Sequence, residues 1–294
     1  MPLIDAHLHQ WDPSAVAYNW LLDAPPALNE RHLVEDIEES VLGSGVTGAI
    51  LVQAADSRED TEAMLGVARS KEWITGVIAW APLDDPSGMR QSLDEFAAEP
   101  LVVGVRSLIH DRADGGWILS DAVQPGLRSL AEAGLAFDFV TSSPAALAQV
   151  PLLAASHPEL TIVVDHLGKP PVTGTPTELG AWREAMIAAA RHPRVLAKAS
   201  GLYGDQGEPD RWSRSQVRRI LDVALDCFGP ERIMLGSDWP VCEIAGGHGR
   251  VWGALVAEID MLAPTEREAV RWQTARAAYL ETPRARLMQK GAGQ

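Results

Sequence analysis

The chain is poor in cysteine and in aromatic residues. Cys227 and Cys242 are its only cysteines, which excludes a disulfide framework and a cysteine-rich zinc module and fits a reducing compartment. Aromatic residues make up 6% of the 294 residues, whereas apolar residues together make up 46%, enough for an extensive core. No apolar run approaches the roughly 18 residues that a membrane span needs, so we expect no membrane partner.

Positive charge is also scarce. The 25 Lys and Arg residues face 40 Asp and Glu residues, and the net charge of −15 argues against nucleic acid as a partner. The N-terminal sequence MPLIDAHLHQW contains neither a basic leader nor the apolar segment of a secretory signal. We therefore expect a cytoplasmic protein that acts on a small molecule, either as a monomer or as a homodimer.

Short apolar, β-branched segments alternate with longer amphipathic ones. Eight segments of four to six residues are predicted as strands: 3–6, 48–53, 75–80, 102–107, 136–140, 161–165, 195–199 and 233–236. The repeat is about 33 residues, the length of one β-loop-α-loop unit. Eight such units predict an α/β fold, a single (β/α)8 barrel domain over 1–294 with its core at about 3–281. An open doubly wound sheet is the alternative.

Helix signals and long loops lie between the predicted strands. Helices are predicted at 31–44, 120–133 and 213–227, with two extra C-terminal helices at 251–262 and 265–280. Ser57 with Asp60 predicts a helix N-cap, and Pro125 marks either a kink or a late start of its helix. The connections 12–29 and 168–177, after the first and sixth strands, are too long for simple turns and are typical of active-site walls.

Histidine and aspartate residues lie at the carboxyl ends of predicted strands. His7 and His9 follow the first strand, and because residues two apart face the same side, their imidazoles lie together. Two imidazoles on one face are a common half-site for zinc or a similar divalent ion, although a solvated or packed pair is the alternative. Asp238, in LGSDWP after the eighth strand, is either a metal ligand, a base that activates water, or a turn aspartate.

Three more strand ends carry ionisable groups. His166 ends the sixth strand and can polarise a carbonyl or be structural, and Asp165 before it is predicted to face the opposite side. Lys198 lies in the seventh strand, where a lysine is costly unless it is paired or faces a wet site. Arg106 ends the fourth strand and can bind an anion in a bidentate manner. Because catalysis in (β/α)8 enzymes occurs at the carboxyl-end rim, we predict one shared site.

Five segments, in chain order, resemble the sugar-lactonase branch of the amidohydrolase superfamily (amidohydrolase-related family 2): DAHLHQWDP, VVGVR, VVDHLGKPP, KASGLYGD and FGPERIMLGSDWPVC. This branch includes enzymes like L-fuconolactonase and L-rhamnonolactonase, and also a pyrone-dicarboxylate hydrolase. The resemblance runs from Ile4 to about Leu280 and implies a distorted TIM barrel that hydrolyses a cyclic ester. By motif, His7 and His9 match the first-strand pair, and Asp238 matches the eighth-strand aspartate.

The resemblance also bears on the cofactor. His166 matches the family's sixth-strand histidine, but the fourth and fifth strands end in Val-Arg-Ser and Asp-Phe-Val, without the bridging lysine or glutamate of a binuclear centre. It therefore implies one divalent metal ion, zinc first, bound by His7, His9 and Asp238, and it leaves metal-independent catalysis open.

These observations lead to a hypothesis of lactone hydrolysis to an aldonate. Asp238 takes a proton from water, and His166 and Lys198, or the metal, stabilise the oxyanion. The residues predicted to contact a sugar lactone are Arg106, which fixes oxygen atoms, and Trp11, Tyr203 and Trp239, which form an apolar wall or belong to the core. The alternatives are a pyrone-dicarboxylate-type hydrolase, a metal-dependent decarboxylase of the same superfamily, and a non-catalytic sugar-binding barrel.

Overall fold

The structure is a computed structural model that describes residues 2–141, 143–203 and 212–281. Eight parallel strands form one sheet in the sequential order β1 to β8. Their bounds are β1 Ile4–Leu8, β2 Gly48–Val52, β3 Ile74–Ala79, β4 Val102–Ser107, β5 Ala136–Phe139, β6 Ile162–Val164, β7 Val195–Ala199 and β8 Ile233–Leu235. All eight predicted strands are confirmed, with ends that shift by at most two residues. The sequential order confirms the (β/α)8 barrel, since an open doubly wound sheet reverses its strand order at a switch point.

Helices connect the strands on the outside of the barrel. The α-helices are α1 Val34–Gly43, α2 Arg58–Ala68, α3 Pro86–Ala97, α4 Gln124–Ala133, α5 Pro144–Leu147, α6 Val150–Ser156, α7 Pro176–Ala190, α8 Arg214–Phe228, α9 His248–Ile259 and α10 Pro264–Glu268. The Ser57 hydroxyl accepts a hydrogen bond from the Asp60 backbone N–H and caps α2, as predicted. Helix α4 begins at Gln124, later than the predicted residue 120, because Pro125 needs a first-turn position that lacks an N–H partner.

The C-terminal segment differs from the predicted helix at 265–280. After α10 it continues as two π-helical turns, Ala269–Gln273 and Arg276–Leu280. Ala278 and Tyr279 from the second turn join the apolar cluster inside the barrel, with residues of strands β1 to β6 and β8. The end of the described chain therefore contributes to the barrel interior and does not only cover its outside.

The long connection after β1 forms a small core of its own. Trp11, Tyr18 and Leu21 are buried together with Leu28 and Ala54, so the loop packs against the start of the next β/α unit. The Trp11 indole N–H donates to the carbonyl of Leu28 at 3.0 Å, which ties the two ends of the loop together. No helix in the described ranges is long and apolar enough to cross a membrane.

Candidate active site

A cavity of about 520 Å³ opens at the carboxyl ends of the strands. Its lining comes from the loops that follow β1, β2, β4, β5, β6 and β8, the position where (β/α)8 barrels carry their active sites. Five of the residues predicted from the sequence lie in this lining: His9, Trp11, Arg106, His166 and Asp238.

Three side chains from opposite ends of the chain converge at the bottom of this cavity. The Nε2 atoms of His7 and His9 lie 3.0 Å apart, as the two-residue spacing predicts. The Asp238 Oδ1 atom lies 3.7 Å from His7 Nε2 and 3.6 Å from His9 Nε2. All three residues are almost completely buried. The predicted meeting of the first-strand imidazoles with the eighth-strand carboxylate is therefore present in the structure.

These three atoms fit a divalent metal ion. The His9 Nδ1 atom lies 2.7 Å from the Val52 carbonyl, which can only accept, so Nδ1 carries the hydrogen and Nε2 presents a lone pair. Two imidazole nitrogens and one carboxylate oxygen are a common donor set for zinc, and tetrahedral bonds of about 2.1 Å place the donors about 3.4 Å apart. The three observed separations bracket this value. Among the residues that the structure describes, these atoms form one of two groups with metal-binding spacing.

Asp238 is held as an ionised carboxylate, and one of its two oxygens faces the histidines. Tyr203 donates a hydrogen bond to Oδ2, which leaves Oδ1 turned toward the histidines. Burial opposes ionisation of Asp238, but the interactions with His166, His9 and His7 hold its pKa well below the ordinary value. Its backbone lies in the left-handed region, with a φ of 59°, a strained conformation that is characteristic of functional sites.

His166 reaches the cavity because the backbone leaves the extended conformation after Val164. Its φ is 53°, so the alternation of a strand no longer applies, and Asp165 and His166 both face the inside of the barrel. The prediction that Asp165 faces away from His166 is therefore wrong. Burial lowers the pKa of His166 to about 3, so the imidazole is neutral at neutral pH, and its Nδ1 atom lies 2.9 Å from the Ser200 hydroxyl.

Asp165 contacts both Arg106 and His7. Its Oδ2 atom accepts a hydrogen bond from Arg106 at 2.9 Å, and its Oδ1 atom lies 3.2 Å from His7 Nδ1. Burial favours its neutral form, yet Lys198, His7 and Arg106 hold the pKa of Asp165 well below its usual value. Asp165 is thus an anionic partner of His7, a role that the predicted strand pattern conceals.

Lys198, Tyr203 and Trp239 lie outside the described lining of the cavity. Lys198 is fully buried below the cavity and pairs with Asp138 and Asp165, so the expected direct contact with a substrate oxyanion does not match its position. Tyr203 bonds to Asp238, and Trp239 packs in the core with its ring 5.8 Å from that of His32. Of the three aromatic residues predicted to form the wall, Trp11 alone lines the cavity.

The sequence assigns no individual role to several other lining residues. Trp20 lies in the long loop after β1, and its ring stands edge-on to Trp11 at 5.1 Å. Lys169 and Glu178 come from the segment after β6 and the start of α7, and His110 follows β4. The length of the two loops already indicated their role as walls, but loop length does not show which side chains face inward.

Comparisons with known proteins agree with this geometry. The chain matches the family model for amidohydrolase over residues 4–280. It is 32% identical over 255 residues to an L-fucono-1,5-lactonase from Burkholderia ambifaria, which covers 86% of this chain and 85% of that protein. An L-fucono-1,5-lactonase from Burkholderia multivorans is 30% identical over 284 residues, or 94% of this chain and 95% of that one.

A solved structure extends the agreement to three dimensions. An amidohydrolase from Burkholderia multivorans with bound zinc superposes with a TM-score of 0.84 at 29% identity, over 95% of this chain and 99% of that chain. A 2-pyrone-4,6-dicarboxylic acid hydrolase from Pseudomonas putida shares the fold, with a TM-score of 0.71 at 24% identity. The chain belongs to the amidohydrolase family.

Proposed function

We propose that this protein hydrolyses a sugar-derived lactone to the open-chain aldonate. The observation that carries the proposal is the convergence of two imidazoles and an ionised carboxylate at the bottom of a cavity with tryptophans in its wall. Two relatives that cover most of the chain are L-fucono-1,5-lactonases, which supports a lactone as the substrate class.

Trp11 and Trp20 supply an apolar surface for a sugar ring. Both rings line the cavity, one edge-on to the other, and C–H groups of a sugar ring pack well against indole rings. The Trp20 indole N–H donates to the Ala54 carbonyl at 2.8 Å, so the orientation of this ring is fixed before the substrate binds. We propose that Trp20 takes the stacking role that the sequence suggested for Tyr203 and Trp239.

Arg106 is placed to fix substrate oxygen atoms. One edge of its guanidinium is held by Asp165, while its Nε atom has no hydrogen-bond partner within residues 2–141, 143–203 and 212–281. Arg106 also lines the cavity. The part of the guanidinium that lines the cavity would donate to an oxygen of the bound lactone.

The hydrolysis adds water to the lactone carbonyl carbon and cleaves the ring C–O bond. Asp238 accepts the proton of the attacking water at Oδ1, the oxygen that Tyr203 leaves free. The neutral His166 polarises the carbonyl through Nε2 while its Nδ1 is held by Ser200, and it replaces Lys198 in this role. The proton then passes to the ring oxygen as the C–O bond breaks, which gives a hydroxy acid. The carboxylic acid of this product releases its remaining proton to the solvent at neutral pH.

His7, His9 and Asp238 would hold one divalent metal ion, zinc first. When bound, such an ion supplies Lewis acidity and lowers the pKa of water to about 7. Two neighbouring groups contact the ligands themselves. The Val52 carbonyl fixes the tautomer of His9, and Asp165 faces the Nδ1 atom of His7.

The proposal is tested by a pH-indicator screen of aldonolactones, with L-fucono-1,5-lactone included, in the presence and absence of a chelator. We expect acid release well above spontaneous hydrolysis, and loss of activity with chelator if the ion is required. Release of CO₂ from an unsaturated acid would instead show a decarboxylase, and opening of a pyrone dicarboxylate would show the other hydrolase class. Saturable sugar binding without conversion would overturn an enzymatic role.

We further propose that the protein acts in the cytoplasm, where its two free cysteines remain reduced. Its oligomeric state, monomer or homodimer, remains a prediction that light scattering would decide.

A further inference from the structure

Four consecutive residues after β6 have left-handed backbone conformations. Their φ angles are 53°, 50°, 70° and 55°, for His166, Leu167, Gly168 and Lys169. Single residues adopt this conformation in many turns, but L-residues rarely do so in succession, because each Cβ atom then crowds the following carbonyl oxygen. Of the four, Gly168 alone lacks a Cβ atom. The segment 166–169 is therefore a strained left-handed turn that other parts of the protein must stabilise.

The left-handed turn presents two residues to the cavity and one to the core. His166 and Lys169 both line the cavity, since residues three apart on a helical turn lie on the same side. Leu167, between them, is completely buried in the main apolar cluster. The backbone N–H of Lys169 donates to the His166 carbonyl at 2.9 Å and closes the turn. The conformation of this turn therefore sets the direction of the His166 imidazole.

Two helices contact the left-handed turn. Trp182, on α7, is completely buried, and its indole N–H donates to the Leu167 carbonyl at 2.7 Å. Gly168 lies against Leu147 of α5, because a Cβ atom at residue 168 would come within 2.6 Å of a Leu147 methyl carbon. Trp182 thus supplies the directional contact that holds the turn, and Leu147 limits the space around it.

Removal of the indole N–H would leave the Leu167 carbonyl buried without a donor. Such a group is costly, and rotation of its peptide unit toward another donor relieves the cost. The same rotation returns the strained turn toward ordinary φ angles, and it shifts the His166 imidazole relative to Ser200, whose hydroxyl lies 2.9 Å from its Nδ1 atom. Trp182 itself lies outside the described lining of the cavity, so its influence on the chemistry passes through the turn.

We propose that Trp182 is a positioning residue, which holds the left-handed turn 166–169 and through it aims the His166 imidazole at the substrate carbonyl. Its hydrogen bond to Leu167 keeps the strained backbone in place, and the same turn carries Lys169 to the cavity wall. The part of this inference that concerns turnover rests on the proposed lactonase function. The part that concerns the turn does not, because the opening of the turn is measured without a substrate.

Amide hydrogen exchange, followed by NMR of ¹⁵N-labelled protein, tests the turn directly. We expect Trp182→Phe to speed exchange of the Lys169 amide about tenfold, because the turn then opens more often. Trp252→Phe is the matched control. Trp252 is also almost completely buried, but its indole N–H has no hydrogen-bond partner in the described part of the chain, so this variant loses ring size without a bond. Its Lys169 amide should exchange within about twofold of the wild type.

Turnover tests whether the turn acts through His166. We expect Trp182→Phe to lower kcat for L-fucono-1,5-lactone about tenfold, with KM within about twofold, because a misaligned imidazole weakens stabilisation of the transition state and not binding. His166→Gln removes the imidazole itself. In that background Trp182→Phe should have no further effect on kcat, whereas a general loosening of the barrel would lower kcat again. Trp252→Phe should leave kcat and KM unchanged.

Gly168→Ala disturbs the same turn from its other side, and it replaces Trp182→Phe if that variant does not fold. The added methyl group meets Leu147, at a φ of 70° that favours glycine. We expect faster exchange of the Lys169 amide and a lower kcat, as for Trp182→Phe. Gly180→Ala, in α7 with open space around it, is the control and should change neither.

Unchanged exchange of the Lys169 amide in folded Trp182→Phe and Gly168→Ala proteins would overturn the proposal. An equal acceleration in Trp252→Phe would also overturn it, since loss of core volume would then be the cause. A further fall of kcat in the His166→Gln background would reject the path through the imidazole. If exchange responds as expected but the wild type opens no lactone, the proposed function fails and the role of Trp182 in holding the turn stands.

Discussion

The bottom and the wall of the cavity follow different physical rules. The bottom consists of His7, His9, Asp165, His166 and Asp238, each at most 4% exposed and each held by buried polar contacts. The wall includes Trp20, Lys169, His110 and Glu178, which lie on loops or a helix start and are partly or fully exposed.

This difference separates the reaction from the choice of substrate. Buried charges at the bottom are stable only in combination, because the removal of one partner leaves another unpaired. Wall residues lie on loops with solvent on one side, so a substitution there alters contacts with the substrate and little else. We therefore expect changes at the bottom to reduce turnover and changes in the wall to alter KM.

The largest effect is expected from Asp238→Asn. The amide cannot accept the proton of water, so kcat/KM should fall by about 10³-fold, while thermal melting should show a folded barrel. Initial rates on L-fucono-1,5-lactone provide the measurement, and Asp222→Asn, on the exposed face of α8, is the control. Near-normal turnover would reject Asp238 as the base.

Removal of a metal ligand should rank second. His9→Gln removes one of the three donors, so zinc affinity should fall by more than the roughly 10–100-fold that outer partners contribute. Zinc content after dialysis against a competing chelator gives the affinity. The control is His32→Gln. This histidine contacts the Trp11 ring and is not one of the three proposed metal ligands, so the variant should retain the metal. Equal zinc content in the wild type and His9→Gln would remove His9 from the donor set.

Gly201→Ala tests how closely the elements at the bottom approach one another. A Cβ atom at residue 201 would lie 2.9 Å from His166 Nδ1 and 3.1 Å from Asp238 Oδ2, at a φ of 61° that favours glycine. We expect the free energy of unfolding to fall by about 1–2 kcal/mol and kcat by about 10–100-fold. Gly66→Ala, in α2 with open space around it, should be stabilising by about 1 kcal/mol. An active, stable Gly201→Ala protein would show that this contact is not tight.

The smallest effect belongs to the wall. Trp20→Ala should raise KM for a sugar lactone about fivefold with kcat within twofold, because a stacking surface contributes about 1 kcal/mol to binding. Trp20→Phe keeps an aromatic face but loses the bond to Ala54, and we expect an intermediate KM. An unsubstituted small lactone serves as the control substrate and should show little change. A fall in kcat without a change in KM would place Trp20 with the bottom of the cavity.

The sequence predicts the barrel and the outer half of the site for identifiable reasons. Apolar segments at a regular spacing mark the eight strands, and the carboxyl ends of parallel strands share one rim, which places His7, His9 and Asp238 together. The resemblance to lactonases points to the same residues. The family is confirmed by a match over residues 4–280.

The inner half of the site depends on facts that no local pattern contains. Asp165 and His166 both face inward because the strand ends at Val164 and His166 turns into the left-handed region, which alternation alone does not predict. The sequence indicates that Lys198 needs a partner, because an unpaired lysine in a strand is costly. That partner, Asp138, is 60 residues away and is visible only in the folded barrel. The inward position of Tyr279 is harder still to predict, because a helical pattern does not distinguish an α-helix from a π-helical turn.

The seam between the first and last strands both closes the barrel and brings the residues of the site together. Main-chain hydrogen bonds connect Asp238 N to His7 O at 2.8 Å and His9 N to Trp239 O at 2.7 Å, and Asp5 accepts from Ser237 N at 2.9 Å. These contacts link positions more than 200 residues apart, and such distant pairings are the slow steps of folding. A partly folded chain with an open seam would hold its imidazoles without their carboxylate, so cation affinity during refolding would report when the ring of strands has closed.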